Sequence, residues 1–472
     1  MELRKTTLIV FISKIFGSIF TFIATIYFAR RLGASILGQY YTIIALLAWL
    51  TLVGESGILN AIRKRVSERQ GQYAYITAGI IIVTVISIST AVILIIFRDL
   101  INRYVGSNVT YLLTILVFFR LMGSFIQVAL DGQDLVHISG ILQSFRQAAQ
   151  TVIQLLFIIL GIGLLGLLYG ILLSLVITIP LGLYFLKFRL EMPRKRHIYS
   201  LVDYAKYSWL GRIKSKSFRQ SDIIILGMFA SSETVGIYSI GWTVAAFFHF
   251  FSSSISKSVF PRLSNISSNG SVNSSADIIT LSMGYSGLFA FPGLVGGFIL
   301  RHKLLQVYGA EFVNASEVLV ILIGSVLLYS FYTQCVNGLA GINRPDLSFN
   351  SNAVFITSNI ILNLILGWKF GMIGVATASL ISILIGLLFA YWTLSKIVRI
   401  SFPSRIIMKQ IISSVIMGAV VYILSISNFV SEITNNNLLN IIALVLVGAL
   451  IYFTILLYMS EDLRSGHLDG IY

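Results

Sequence analysis

The chain has 472 residues, 57% of them hydrophobic and only 11% charged, with a mean hydropathy of +0.89 and a formal net charge of +16. A soluble domain is about a quarter charged, so this composition excludes an ordinary soluble protein. The single Cys335 excludes an internal disulfide and a cysteine metal cluster, and the five scattered histidines show no ligand spacing.

Apolar runs of about twenty residues recur along the whole chain, the length an α-helix needs to cross a bilayer. They are continuously apolar rather than alternating, which argues against a β-barrel. The sequence predicts an all-α polytopic membrane protein with about 14 transmembrane helices. The expected spans are 7–29, 36–59, 74–97, 108–130, 138–161, 164–187, 203–229, 234–258, 276–300, 313–338, 347–367, 371–395, 404–426 and 437–459. The first is too long for a removable signal peptide and lacks a small-residue cleavage site before Arg30, so it is expected to stay. With both termini cytoplasmic, the inside segments hold 20 Lys and Arg and the outside segments 7. This positive-inside bias predicts that orientation in the cytoplasmic (plasma) membrane and explains the positive charge without nucleic acid.

Span four carries Arg120 at its middle, with a helix carbonyl or Glu55 of span two as candidate partners and the cavity as another place for it. Asp131 and Asp134 form a D-x-x-D at the cytoplasmic turn that follows, a pattern expected of turns in general. Span five contributes Arg146 and the amides Gln143, Gln150 and Gln154. Between spans six and seven lies KFRLEMPRKRH (187–197), which reads as a basic cytoplasmic linker held to anionic lipid headgroups.

Span seven, DYAKYSWLGRIKSKSFRQSDIIILGMF (203–229), is the most informative stretch. Arg212, Lys214, Lys216 and Arg219 facing lipid would together cost about 10–14 kcal/mol, at roughly 2.5–3.5 kcal/mol each. Arg212, Lys216 and Arg219 are spaced i, i+4, i+7 and share a helix face, with Lys214 nearer its side. The bland reading is an amphipathic segment among headgroups. The preferred reading is a cationic wall of a water-filled cavity. Asp222, three residues after Arg219, is placed to be its ion-pair partner.

The chain also resembles itself at a shift near 200. Gly38-Gln39-Tyr40 falls on Gly236-Ile237-Tyr238, and Lys14 on Arg212; Gln143, Gln150 and Gln154 fall on Asn352, Asn359 and Asn363. The amide spacing of seven then four is a helical stripe in both copies. Polar stripes on apolar helices are expected to face an interior space, although amides also hydrogen-bond neighbouring helices in bundles. An even number of spans per repeat predicts parallel lobes about an axis along the membrane normal. The expected domains are an N-terminal six-helix lobe (1–187), the basic linker (188–202), a C-terminal six-helix lobe (203–395), and two extra helices with a tail (396–472). Lys14, Arg146, Arg212, Lys216, Arg219, Gln150 and Asn359 are the expected substrate-binding residues, with Arg120, Lys214, Glu55 and Asp222 as further candidates. Cations in excess of acids call for an anion, such as a phosphate or pyrophosphate. No metal site and no cofactor is expected.

The 6 + 6 + 2 division, the cationic seventh span, and ARRLGASILGQYYTIIALL (29–47) after a first span with Lys14 resemble the Wzx-type polysaccharide-biosynthesis flippases. These belong to the multidrug/oligosaccharidyl-lipid/polysaccharide (MOP) exporter superfamily, whose MOP/MATE-like fold the resemblance implies. It further implies alternating access and a lipid-linked oligosaccharide pyrophosphate as cargo, moved for surface polysaccharide or glycan assembly. Partners implied alongside are polysaccharide polymerase or glycosyltransferase machinery, and an enzymatic activity is not expected. Three alternatives remain: a lipid II-type flippase, which shares fold and charge logic; a MATE-type exporter, disfavoured because span one has Lys14 and no acid; and a membrane glycosyltransferase, for which the D-x-x-D is the one candidate. A nucleotide-driven pump is disfavoured, since no GxxxxGK[ST] occurs.

Overall fold

A backbone in hydrocarbon must satisfy its own hydrogen bonds, and the helix does so within one segment. The computed structural model, which describes residues 2–52, 54–208, 217–248, 272–427 and 437–460, is accordingly helical, with no strand among the described residues. The chain forms two compact units, Met1–Gly236 and Ile237–Tyr472.

Unit 1 begins with a helical run α1 (Glu2–Leu50) broken at Gly33, where φ is 77° and ψ 171°. This break separates the first two expected spans. The second arm does not end near residue 59 as expected: a π-turn (Gly54–Ile58) carries it into α2 (Leu59–Ser67). There follow α3 (Gln72–Ile96), a short α4 (Arg98–Val105), α5 (Thr110–Gly132), α6 (Val136–Ile159) and α7 (Gly163–Phe185). The expected linker becomes helical at α8 (Lys195–Ser208). After the undescribed stretch come a second π-turn (Ser217–Ser221), α9 (Asp222–Phe229) and the start of α10 (232–248).

The core of unit 1 gathers Leu59, Ile62 and Val66 of α2, Ile76 and Val83 of α3, and Leu113, Leu121 and Phe125 of α5. Isoleucine and valine left exposed along α3, such as Val85, Ile88 and Ile96, face what would be lipid rather than water. At one end, α1 and α10 cross at bare backbone. A Cβ on Gly38 would fall 1.6 Å from the Ser232 carbonyl oxygen, and one on Gly236 would fall 1.9 Å from that of Ala34. No side chain fits either position. The crossing therefore joins the two glycines that the internal repeat superposes.

Unit 2 continues with α11 (Val272–Ser286), α12 (Ala290–Gln306), a 3-10 turn (Ala310–Ala315), α13 (Ser316–Gly341), α14 (Pro345–Ser395), α15 (Ser404–Ile426) and α16 (Asn437–Met459). The 51 residues of α14 would reach about 77 Å if straight, more than twice a bilayer core of about 30 Å. The run instead folds back at Gly371, whose φ of 57° and ψ of −134° suit a residue without Cβ. The arms meet across this turn, as the hydrogen bonds from Asn359 to Ser379 and Ser382 show. Met417, Val421, Leu444, Tyr452 and Leu456 form a separate apolar cluster that joins α15 and α16 to Leu300 of α12.

Among the described residues, nine helical runs are long and apolar enough to cross a membrane. The protein is thus a multi-pass helical membrane protein, and the expected count of fourteen is not reproduced residue for residue. One of the nine, α14, supplies two arms. Helix α6 falls short of the apolar requirement because Gln143, Arg146, Gln147, Gln150 and Gln154 interrupt it. Spans seven and eight extend onto residues 209–216 and 249–258, outside the described residues.

Candidate functional site

Arg120, Gly123, Ser124 and Gln127 recur on α5 at spacings that share one helix face. That face meets the π-turn that carries Glu55. The Arg120 Nε lies 3.7 Å from Glu55 Oε1, and the Ser124 hydroxyl donates to the same oxygen at 3.2 Å. Glu55 is only 6% exposed, so an ionised carboxylate there requires such partners. A π-turn inside a helix is uncommon and often marks a functional position. Here it lets span two present Glu55 toward Arg120.

Arg146, on α6, lies within electrostatic reach of both Arg120 and Glu55. Among the described residues, no hydrogen bond or ion pair holds its guanidinium. It borders a cavity of about 40 Å³ whose polar lining is Gln127, Ser139, Gln143 and Thr178. A space of that size holds a water or two. Two guanidiniums and one carboxylate leave one excess positive charge within unit 1, next to a polar space.

The two amide stripes have separate fates. Gln143 lines the cavity and Gln150 is half-buried. Gln154 donates to the Leu167 carbonyl at 2.9 Å and to the Tyr40 hydroxyl at 3.3 Å, tying α6 to α7 and α1. In unit 2, Asn352 accepts from the Tyr332 hydroxyl at 2.9 Å, and Asn359 donates to Ser379 and Ser382 at 3.2 Å each. Asn359 and Asn363 are both fully buried. Asn359 thus ties the two arms of α14 together, because small serines let the arms approach and offer their hydroxyls to it.

Lys14 is on α1 and Arg219 on the second π-turn, while their side chains fall outside the described residues. Arg212, Lys214 and Lys216 lie outside the described residues altogether. Asp222 opens α9 with no exposed surface and has an interaction partner. The structure thus brings Glu55, Arg120 and Arg146 together. The sequence reading missed Ser124, Gln127, Ser139 and Thr178; the first two were accessible as positions i+4 and i+7 from Arg120.

The D-x-x-D is structural. Asp131 pairs with Arg63 at 3.2 Å and accepts from Ser139, and Asp134 pairs with Arg69 at 2.9 Å. The two carboxylates hold the turn between α5 and α6 against α2 and the turn that follows it. Among the described residues there is no group of three His, Cys, Asp or Glu side chains that would hold a metal ion.

Residues 3–267 match the family described as "Polysaccharide biosynthesis protein". Two relatives from Haloferax volcanii align over nearly full length. The "Probable low-salt glycan biosynthesis flippase Agl15" is 29% identical over 97% of this chain and 96% of its own. The "Probable flippase AglR" is 29% identical over 94% and 93%. Among solved structures, "Lipid II flippase MurJ, inward closed conformation" superposes with a TM-score of 0.80 over 97% of this chain and 100% of that chain, at 19% identity. At that identity the likeness establishes the fold.

Proposed function

The chain belongs to the polysaccharide biosynthesis protein family, and from that membership we propose that it is a flippase for a lipid-linked oligosaccharide. Its cargo is a polyprenyl-pyrophosphate-linked oligosaccharide, moved from the cytoplasmic to the outer leaflet for surface polysaccharide or glycan assembly. The observation that carries this reading is the excess of guanidinium over carboxylate at Glu55, Arg120 and Arg146 within a membrane-embedded unit. A sugar phosphate cannot cross hydrocarbon unaided, and fixed cations beside a polar space lower that barrier. The nearly full-length kinship with two proteins named as flippases supports the same reading.

In this reading, Lys14, Arg212, Lys216 and Arg219 join Arg120 and Arg146 in binding the headgroup, while Gln143 and Gln150 contact its sugar. The lobes 1–187 and 203–395 alternate access around that site, and anionic lipids hold the basic connections at the cytoplasmic face of the plasma membrane, with both termini inside. Polymerase or glycosyltransferase machinery supplies and consumes the cargo. The protein is a transporter, not an enzyme. Asp131 and Asp134, the candidate ligands of the glycosyltransferase alternative, are each paired with an arginine.

The test is flipping in proteoliposomes of a fluorescent disaccharide carried on a prenyl pyrophosphate, read by quenching from outside. Protein-dependent flipping that is lost in Arg146→Ala is expected. Protein-independent flipping, or flipping equal in the variant, would remove the cationic site. A lipid II-type cargo is the second reading, favoured only by the fold; competition between lipid II and the disaccharide lipid decides between them.

A further inference from the structure

Glu55 is the unusual member of its cluster. A site that exists to attract an anion already contains one, held 3.7 Å from Arg120 Nε and fixed by the Ser124 hydroxyl at 3.2 Å. Glu55 does not sit on a regular helix. It belongs to the π-turn Gly54–Ile58, whose backbone carries one extra residue that can be taken up or released by a neighbouring turn. Behind that turn packs α8. A Cβ on Gly57 would fall 2.8 Å from both the Cβ and the carbonyl oxygen of Ala205, so π-turn and α8 touch at bare backbone. Two turns further, the Lys64 ammonium lies over the Tyr204 ring, 5.0 Å from its centre. The helix that leads into the cationic seventh span thus rests on the element that bears Glu55.

We propose that Glu55 is a built-in competitor for the cargo: the phosphate-bearing headgroup binds Arg120 and Arg146 by displacing the Glu55 carboxylate from Arg120. The inference rests on the flippase reading and adds the identity of the group that the cargo must replace. Two features favour exchange over a fixed ion pair. The pair is single-pronged and long at 3.7 Å, whereas a bidentate phosphate on guanidinium makes two short, charge-assisted bonds. Arg146 lies beside the pair and supplies a second cation, so one carboxylate faces two guanidiniums. With Glu55 in place, Arg120 has a resident carboxylate that balances its charge in the empty protein, which an unpaired cation at membrane depth would otherwise lack. Displaced, Glu55 leaves its contacts with Arg120 and Ser124, and the π-turn is freed at the point where it bears on Ala205. Occupancy of the headgroup site is in this way passed to α8.

The experiment measures binding of inorganic pyrophosphate to the full-length protein in phosphatidylcholine nanodiscs, for wild type, Glu55→Gln, Ser124→Ala, Arg120→Gln and the Glu55→Gln/Arg120→Gln pair. Removal of a resident competitor raises apparent affinity by the reciprocal of the fraction of time it had left the site free; for a site free about a tenth of the time, Glu55→Gln is expected to bind about tenfold tighter than wild type. Ser124→Ala, which only loosens Glu55, should shift the same way by less. Arg120→Gln should bind more weakly, and the double variant no better than Arg120→Gln alone. Equal or weaker binding by a folded Glu55→Gln overturns the displacement. If that variant does not yield folded protein, Ser124→Ala decides, and unchanged or weaker binding there overturns it equally. The flipping assay on wild type separates the two levels. Flipping without any tightening in the variants removes the competitor and leaves the flippase, whereas neither flipping nor binding by wild type removes both.

Discussion

The amide stripes of α6 and α14 share a spacing and nearly a chemistry, yet they do different work. On α6 the stripe runs past Arg146 and a small polar cavity, and only Gln154 at its far end is absorbed in helix packing. On α14 the stripe is buried, Asn352 against Tyr332 and Asn359 against two serines of the returning arm. Unit 1 therefore keeps charge in its interior beside open space, and unit 2 keeps neutral amides that are paired. A polar stripe on an apolar helix says that the face avoids lipid. What it faces instead depends on whether a neighbouring helix brings small hydroxyl residues or leaves a gap.

The contrast can be broken at the α1–α10 crossing, where the largest effect is expected. Gly38→Ala places a methyl 1.6 Å from a backbone oxygen, so the helices must separate or the protein must misfold. Flipping should fall to background, and cysteines introduced at the crossing should cross-link less well than in a Gly38 background; cross-linking is simple to read because the natural Cys335 is buried. Unchanged flipping would mean that the crossing is not held as described. Next in size is Arg146→Ala. Loss of one charge-assisted contact is worth roughly 1.5–3 kcal/mol, so headgroup affinity should drop about 10–100-fold. The thermal midpoint in detergent should barely move, and a large drop in stability instead would make Arg146 a structural residue.

Asn359→Ala should show the opposite profile. It removes two interhelical hydrogen bonds, at a cost of about 1–2 kcal/mol of stability, with flipping per folded molecule retained. Gln150→Ala on the other stripe should cost under about 0.5 kcal/mol, as a half-buried substitution does. Equal stability losses at the two sites would erase the distinction between the stripes.

The smallest expected effect is a pH dependence at His197, at the start of α8. Its ring is buried, accepts the Arg194 N–H at Nδ1 at 3.0 Å, and stands edge-on to Tyr75 with centroids 4.9 Å apart. Burial, then the nearby Arg196, holds its pKa below the ordinary histidine value. The unfolded chain therefore takes up this proton first as pH falls, near about 6.5, and the stability His197 contributes above that pH is lost progressively below it. Thermal midpoints should decline modestly between pH 7 and pH 5 in wild type and less in His197→Gln. An equal decline in both would place the pH dependence elsewhere.

By itself the sequence determined that this is a helical membrane protein with charged interior positions, because hydropathy and the cost of a cation in lipid are local properties read from twenty residues at a time. The breaks near Gly33 and Gly371 were also legible, since no span can exceed the bilayer by a factor of two. The family resemblance followed from the same features, and the match over residues 3–267 establishes it. The resemblance of Gly38 to Gly236 was visible as a repeat, but not that the two positions touch. Only tertiary structure decided the partner of Arg120, since a helix face defines a direction and the residue it meets lies on another segment, in this case 65 positions earlier at Glu55. The π-turns escaped the sequence reading for the same reason. The first of them packs against Ala205, a neighbour on another segment that periodicity does not encode. Asn359 shows the limit most plainly. Its stripe looked like that of Gln150, and the serines that claim it come from the far side of a turn.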